Sequence, residues 1–296
     1  MQLPCCFQVP NKHEIGFDRH KQGAYSTKIM NRSCFHWFSR RVVMRYAAVL
    51  IALVLFAAGC NQIDAVSAKS QRETTKKKVL VVTGIDYPGH KWKLTAPVLA
   101  KAIAVDERLD VTITEDPNDL ANDGLGDYDV IVLHFMDWEV PDPGTKARAN
   151  LKDAVHNGTG LVLVHFACGA FQEWPEFVKL AGRVWDPKLR GHDPHGKFTV
   201  KITDDQHPAM KGMKDFETVD ELYTCLTGQT PIKILATARS KVDNKDYPMA
   251  FVLNCGKGRV FHSVLGHDVQ ALDNPYVGRL FRNACAWGAG LEPSDN

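Results

Sequence analysis

In Gly160-Leu161-Val162-Leu163-Val164-His165-Phe166 the apolar run over residues 161–164 ends on the imidazole of His165. Its lack of polar alternation marks a strand buried on both faces, as in a parallel sheet covered by helices. Two other runs share the design: residues 78–83 lead into Gly89-His90-Lys91-Trp92, and residues 260–265 into Gly266-His267-Asp268. Parallel strands bring their carboxyl ends to one edge, where open α/β sheets bind ligands. His90, His165 and His267 would then converge from distant parts of the chain.

The pattern around these runs alternates strand and helix. Strands are expected over 78–83, 109–114, 127–135 and 160–166, with helices over 94–104, 145–156 and 171–180. Pro97 is tolerable in the first turn of its helix, and Asn157-Gly158 reads as a carboxyl cap. The second half is more mixed. It has strand patterns at 197–202 and 232–238, a hairpin of 249–255 with 259–264 across Gly256-Lys257-Gly258, and a closing helix over 275–288. Together these predict an α/β domain over residues 77–290, with a mostly parallel sheet and helices on both faces.

The amino-terminal part is of another kind. Residues 46–59 (YAAVLIALVLFAAG) are apolar and uncharged, follow Arg40, Arg41 and Arg45, and end in small residues before Cys60. A basic stretch, a short apolar stretch and small residues describe an export signal over residues 1–59. Residues 1–29 fit no part of one, so Met30 or Met44 is the alternative start. Ala57-Ala58-Gly59-Cys60 resembles a bacterial lipobox, which implies lipidation of Cys60. The expectation is an exported protein anchored to a membrane and facing the periplasm or the cell exterior. Residues 60–76 would be a polar tether and 291–296 a short tail.

Of the 36 basic and 34 acidic residues, eight and two lie in residues 1–59, leaving 28 against 32 and a net charge near −4 instead of +2. This balance offers no electrostatic footprint for nucleic acid. Cys168, Cys225, Cys255 and Cys285 form no CxxC pair, so a zinc knuckle is not suggested; disulfides and buried thiols both remain open.

Several polar groups have spacings that suit chemistry. The loop after the first strand pairs His90 with Trp92, a combination that suits a sugar ring. His165 stands at a strand-to-helix elbow, where many α/β hydrolases place a nucleophile, and Cys168 follows three residues later. No Gly-x-Ser-x-Gly or Gly-x-Cys-x-Gly motif is present, and a core histidine bonded to a carbonyl is the bland reading of His165. His192 and His195 flank Pro194 in a second histidine-rich loop. His207 is best read as a turn cap. Asp220-Glu221-Leu222-Tyr223 supplies carboxylates and a phenol for acid-base work or metal ligation, and Asp268 stands where it would orient His267.

Gly89-His90-x-Trp92, residues 161–165, His207-Pro208, Asp220-Glu221-Leu222-Tyr223, residues 256–261, Gly266-His267 and Ala286-Trp287 occur in an order that resembles the trehalose-utilisation (ThuA-like) family. The resemblance spans about residues 78–290. It implies a flavodoxin-like, class I glutamine-amidotransferase-like sheet and a role in sugar utilisation. The amidotransferase cysteine is not carried over, since His165 takes its approximate place, so a functional glutamine amidotransferase is not expected.

The leading expectation is acid-base or metal-assisted chemistry on a sugar or keto-sugar. His90, His165, Glu221 and His267 are the catalytic candidates and would equally hold a divalent metal such as zinc. Trp92, Trp174, Tyr223 and His192 would contact substrate. The alternatives are a non-catalytic, lipid-anchored carbohydrate-binding protein that stacks sugars on Trp92, Trp138 and Trp174, and a hydrolase that uses Cys168.

Overall fold

The computed structural model describes residues 75–295. The signal and lipidation readings, including Cys60, lie outside the described residues. Fourteen strands and helices follow in order: β1 (Lys77–Val82), α1 (Trp92–Ala104), β2 (Leu109–Thr114), β3 (Val130–Leu133), α2 (Gly144–Asn157), β4 (Gly160–Val164), α3 (Phe177–Ala181), β5 (Gly196–Ile202), β6 (Phe216–Asp220), β7 (Lys233–Arg239), β8 (Asp246–Cys255), β9 (Gly258–Ser263), α4 (Val269–Leu272) and α5 (Pro275–Gly288).

All nine strands join one sheet in the order β2-β1-β3-β4-β9-β8-β7-β5-β6. The first five are parallel, and their 2-1-3-4 start followed by a fifth parallel strand is the flavodoxin order. The other pairings, β9-β8, β8-β7, β7-β5 and β5-β6, are antiparallel. The sheet is therefore mixed, not purely parallel. The cause is local: the two-residue turn Gly256-Lys257, with Gly256 at φ 59°, can join only antiparallel neighbours. The remaining strands then add outward from β8.

Helices cover both faces. Leu99 and Ile103 of α1 and Leu280, Phe281 and Ala284 of α5 pack on one side of the sheet. Leu151 and Val155 of α2 and Phe177 and Leu180 of α3 pack on the other. Val130, Val132, Val162 and Leu163 are fully buried, as strands enclosed on both faces require.

Three expected elements differ in extent. The first helix begins at Trp92, which places Pro97 in the second turn; Pro97 is exposed, so the carbonyl it leaves without a helical partner faces water. The strand expected over 127–135 is confined to Val130–Leu133, because Asp129 is engaged by Lys77 and by the backbone of Lys78. The helix expected over 171–180 forms only from Phe177. Pro175 disfavours a helical Trp174, and Phe171, at φ 54°, gives its N–H to the Asp137 carboxylate.

Candidate functional site

Because β1, β4 and β9 run in the same direction, the loops that follow them open at one edge. His90 comes from the β1 loop, His165 from the first residue after β4, and His267 from the turn after β9. His165 sits at φ 48°, a left-handed conformation rare for a residue with a Cβ. This sharp elbow turns the ring back over the sheet edge. Its Nδ1–H donates to the Val264 carbonyl at 2.7 Å, so in the neutral ring Nε2 presents a lone pair to the site. The carbonyl contact expected of a core histidine is present, but the other nitrogen points into a polar cluster.

That nitrogen is the hub of the cluster. His90 Nε2 lies 3.2 Å away, Tyr223 Oη 3.1 Å, His267 Nδ1 3.3 Å and Glu221 Oε2 3.5 Å. Glu221 Oε2 is also 3.2 Å from His267 Nδ1. One ligand-type atom from each of His90, His165, Glu221 and His267 lies within 4.8 Å of the others. Asp220, fully buried beneath them, accepts from the backbone N–H groups of Glu221, Gly266 and His267 and so ties the β6 and β9 loops together. Gly89, at φ 91°, allows the β1 loop to close over His267.

Crowding of like groups shapes the electrostatics. Burial, and then the adjacent His165 and His267, push the His90 imidazole down to about 2. Burial alone would raise the Glu221 carboxyl, but His165 and His267 hold it well below the ordinary carboxylate range. His267 is raised, because Glu221 outweighs its burial. Burial, with Cys168 and Glu221 nearby, keeps the Tyr223 phenol protonated. The site thus collects lone pairs and one carboxylate in a small, largely dry space.

A cavity of about 300 Å³ opens onto this cluster, formed chiefly by the loops after β1, β3, β4 and β6 and the segment before β5. The first two of these flank the point where strand order reverses, the usual ligand crevice of such sheets. Its aromatic walls are Tyr87, Trp138 and Trp185. Trp138 donates to the Gly169 carbonyl at 2.7 Å, and its ring centroid is 5.4 Å from that of Trp185 and 5.7 Å from that of Tyr87. His192 and Tyr223 also reach the cavity, and His192 Nε2 is 3.7 Å from Glu221 Oε1.

Other candidates are placed elsewhere. Trp92 is buried at the start of α1, and Trp174 packs between Phe171 and Phe177, so neither lines the cavity. His195 faces Asp268 at 3.5 Å, at the outer side of His267. Asp268 caps α4 through the Ala271 N–H and does not orient the His267 ring. His207 caps its turn by accepting from the Ala209 N–H. Cys168 lines the cavity, but it is fully buried and its thiol is pushed up by that burial. The four described cysteines are all free.

Sequence reasoning passed over Tyr87, Trp185 and His134. His134 follows β3 just as His165 follows β4, so the strand-ending pattern could have found it; it is fully buried, 3.2 Å from Thr83. No sequence signal marks Trp185, which reaches the cavity from the segment between α3 and β5.

Fold and site together define a flavodoxin-type α/β protein whose strand-end edge carries a histidine–carboxylate cluster in place of an elbow nucleophile. The chain belongs to the ThuA family, described as trehalose utilisation, whose model matches residues 78–288. It is similar to the crystal structure of a ThuA-like protein from Parabacteroides merdae, with 24% identity, 75% of this chain and 93% of that one covered, and a TM-score of 0.65. A ThuA-like protein from Bacteroides uniformis matches at 21% identity over 75% and 96% of the two chains, with a TM-score of 0.61. A cytoplasmic protein from Salmonella typhimurium LT2 shares the fold at 14% identity over 71% and 99%, with a TM-score of 0.53. No curated protein matches the chain.

Proposed function

We propose that this protein is a metal-dependent enzyme acting on a sugar or keto-sugar. The observation that carries the reading is the spacing of the four ligand-type atoms. Tetrahedral coordination at about 2.0–2.1 Å sets neighbouring ligands about 3.3–3.4 Å apart. His165 Nε2 lies 3.2, 3.3 and 3.5 Å from the His90, His267 and Glu221 atoms, Glu221 lies 3.2 Å from His267, and all four atoms fall within 4.8 Å of one another. Acceptors this close repel unless a proton or a cation lies among them, and three imidazoles with one carboxylate suit zinc or a similar ion.

His90, His165, Glu221 and His267 would hold the ion, with the Val264 carbonyl fixing the His165 tautomer from behind. A divalent ion supplies Lewis-acid polarisation of a sugar carbonyl, which eases proton loss from the neighbouring carbon. Tyr223, kept as a phenol, donates a hydrogen bond into the same space. His192, half-exposed, has Nδ1 bonded to the Asp193 carbonyl and Nε2 facing Glu221, a placement suited to carrying a proton between site and solvent. Trp138 and Trp185 offer flat apolar faces for the sugar ring.

The test is total metal analysis of the purified protein and its four single alanine variants, with turnover of keto-sugars and parent disaccharides measured with and without chelator. Full metal content and full activity in all four variants would sink the site. Sugar binding that survives loss of His165 and Glu221, with no turnover of any sugar, would favour the non-catalytic carbohydrate-binding reading.

We also infer export and lipid anchoring through Cys60, supported by the Ala57-Ala58-Gly59-Cys60 sequence after an apolar stretch. Incorporation of labelled fatty acid that is lost in Cys60→Ser tests this; equal labelling of both would refute it.

A further inference from the structure

A second cavity, of about 630 Å³, lies between α1 and α5, lined by neither the histidine cluster nor its aromatic walls. Four cationic side chains border it: Lys101 from α1, Lys214 from the loop before β6, and Arg279 and Arg282 from successive turns of α5. Asp273 is the single acid among the lining residues. Among the described residues, no carboxylate lies within ion-pair distance of Lys101, Lys214 or Arg279, whereas nearby Lys211 pairs with Asp295 and Lys197 with Glu217.

The cations are gathered here at a cost. Arg282 is only 8% exposed and close enough to Arg279 for their like charges to act on each other. Gly212, at φ 69°, lies against the Arg279 guanidinium, the mobile end of that side chain. The amino-terminal end of α5, a helix of 14 residues, borders the same cavity and adds a positive partial charge. Val98, Leu272 and Tyr276 complete it with apolar surface.

A monocarboxylate would neutralise one of these cations, whereas a phosphoryl dianion has the charge and the acceptor oxygens to engage the Arg279 guanidinium and the two lysines together. We propose that this cavity binds a phosphoryl group, carried by a soluble phosphate ester or by a phospholipid headgroup. The apolar surface beside the cations would take the attached carbon skeleton.

The test is calorimetric titration of the full chain with inorganic phosphate and with glycerol 3-phosphate, chelator being present throughout so that no metal at the histidine cluster takes the anion. Cosedimentation with phosphatidylcholine vesicles, with and without phosphatidic acid, forms the second arm. Both run on the wild type, Arg279→Gln/Lys214→Gln, Lys101→Gln alone, and Lys188→Gln as a remote surface control, with circular dichroism confirming the fold. The wild type and the control should bind saturably, and the double variant about tenfold or more weakly. Lys101→Gln should weaken binding by a smaller factor and serves if the double variant does not fold. Binding of soluble phosphate assigns the ester; binding to phosphatidic acid vesicles alone, lost in the double variant, assigns the headgroup. Unchanged affinity in folded variants, or no saturable binding to any of the three probes, overturns the proposal.

Discussion

His165 Nε2 lies 3.2 Å from His90 Nε2, although 75 residues separate them in the chain. Each ring is buried and each nitrogen can offer a lone pair, so the contact needs a shared proton or cation to be favourable. Everything else in the site is arranged around this pair.

If a metal ion is what relieves the contact, the folded state alone binds it, and binding must stabilise folding. Zinc at about a thousand times its Kd should add about 4 kcal/mol. Scanning calorimetry of chelated and zinc-loaded protein should show a clear rise in Tm that Glu221→Gln largely removes. Equal Tm values with and without zinc would contradict the cluster's role as a metal site.

Two buried histidines outside the cluster make stability depend on pH. Burial lowers His134 to about 3 and His262 to about 4, both below the ordinary histidine value. Between about 4 and about 6.5 the unfolded chain therefore binds these protons and the folded chain does not, so stability falls as pH falls through that window. Each group contributes up to about 1.4 kcal/mol per pH unit. Urea unfolding of the chelated protein at pH 7, 6 and 5 should show this slope, and His262→Gln should reduce it by one proton's worth. An identical slope in the variant would mean that His262 is charged in the fold.

The aromatic residues should divide by location. Trp174→Ala opens a hole between Phe171 and Phe177 and should cost roughly 3–5 kcal/mol of stability with KM unchanged. Trp185→Ala should raise KM for sugar and cost less stability than Trp174→Ala, because Trp185 is only partly buried. Gly191→Ala should also raise KM, because a Cβ at Gly191 would strike the Trp185 indole and displace it from the cavity wall. Kinetics and thermal melts on the three variants check this; a normal KM in both Trp185→Ala and Gly191→Ala would remove the indole from the substrate site.

Cys168 lines the cavity, but burial holds its thiol in the protonated form. Cys168→Ser should keep turnover within a few-fold of wild type, and alkylation of the native protein should be slow and without effect on rate. Activity lost in step with alkylation would establish the thiol as nucleophile.

Much of this arrangement was legible in the chain. The runs at 78–83 and 160–166 announce doubly covered strands because a strand with helices on both sides has no polar face to show. Histidines placed just beyond such runs mark the ligand-binding edge for the same reason. The mixed character of the sheet was less legible: β5, β7 and β6 have short, half-exposed patterns that suit either direction of pairing. Trp92 and Trp174 looked like sugar platforms because an aromatic near a polar loop is ambiguous until its neighbours are known. Both turn out to pack inward, whereas Trp185, with no motif around it, lines the cavity.

The sequence by itself determined the parallel core, the helices that cover it and the edge at which His90, His165 and His267 emerge, since burial on two faces and strand-end position are written in local residue order. Only the tertiary structure decided which side chains meet. His165 Nε2 faces His90, His267, Glu221 and Tyr223 because the elbow at φ 48°, the Val264 carbonyl and the buried Asp220 aim loops from four separate strands at one point. Contacts of that kind depend on directions in space set by long-range packing, and these are not recorded in the spacing of residues along a chain.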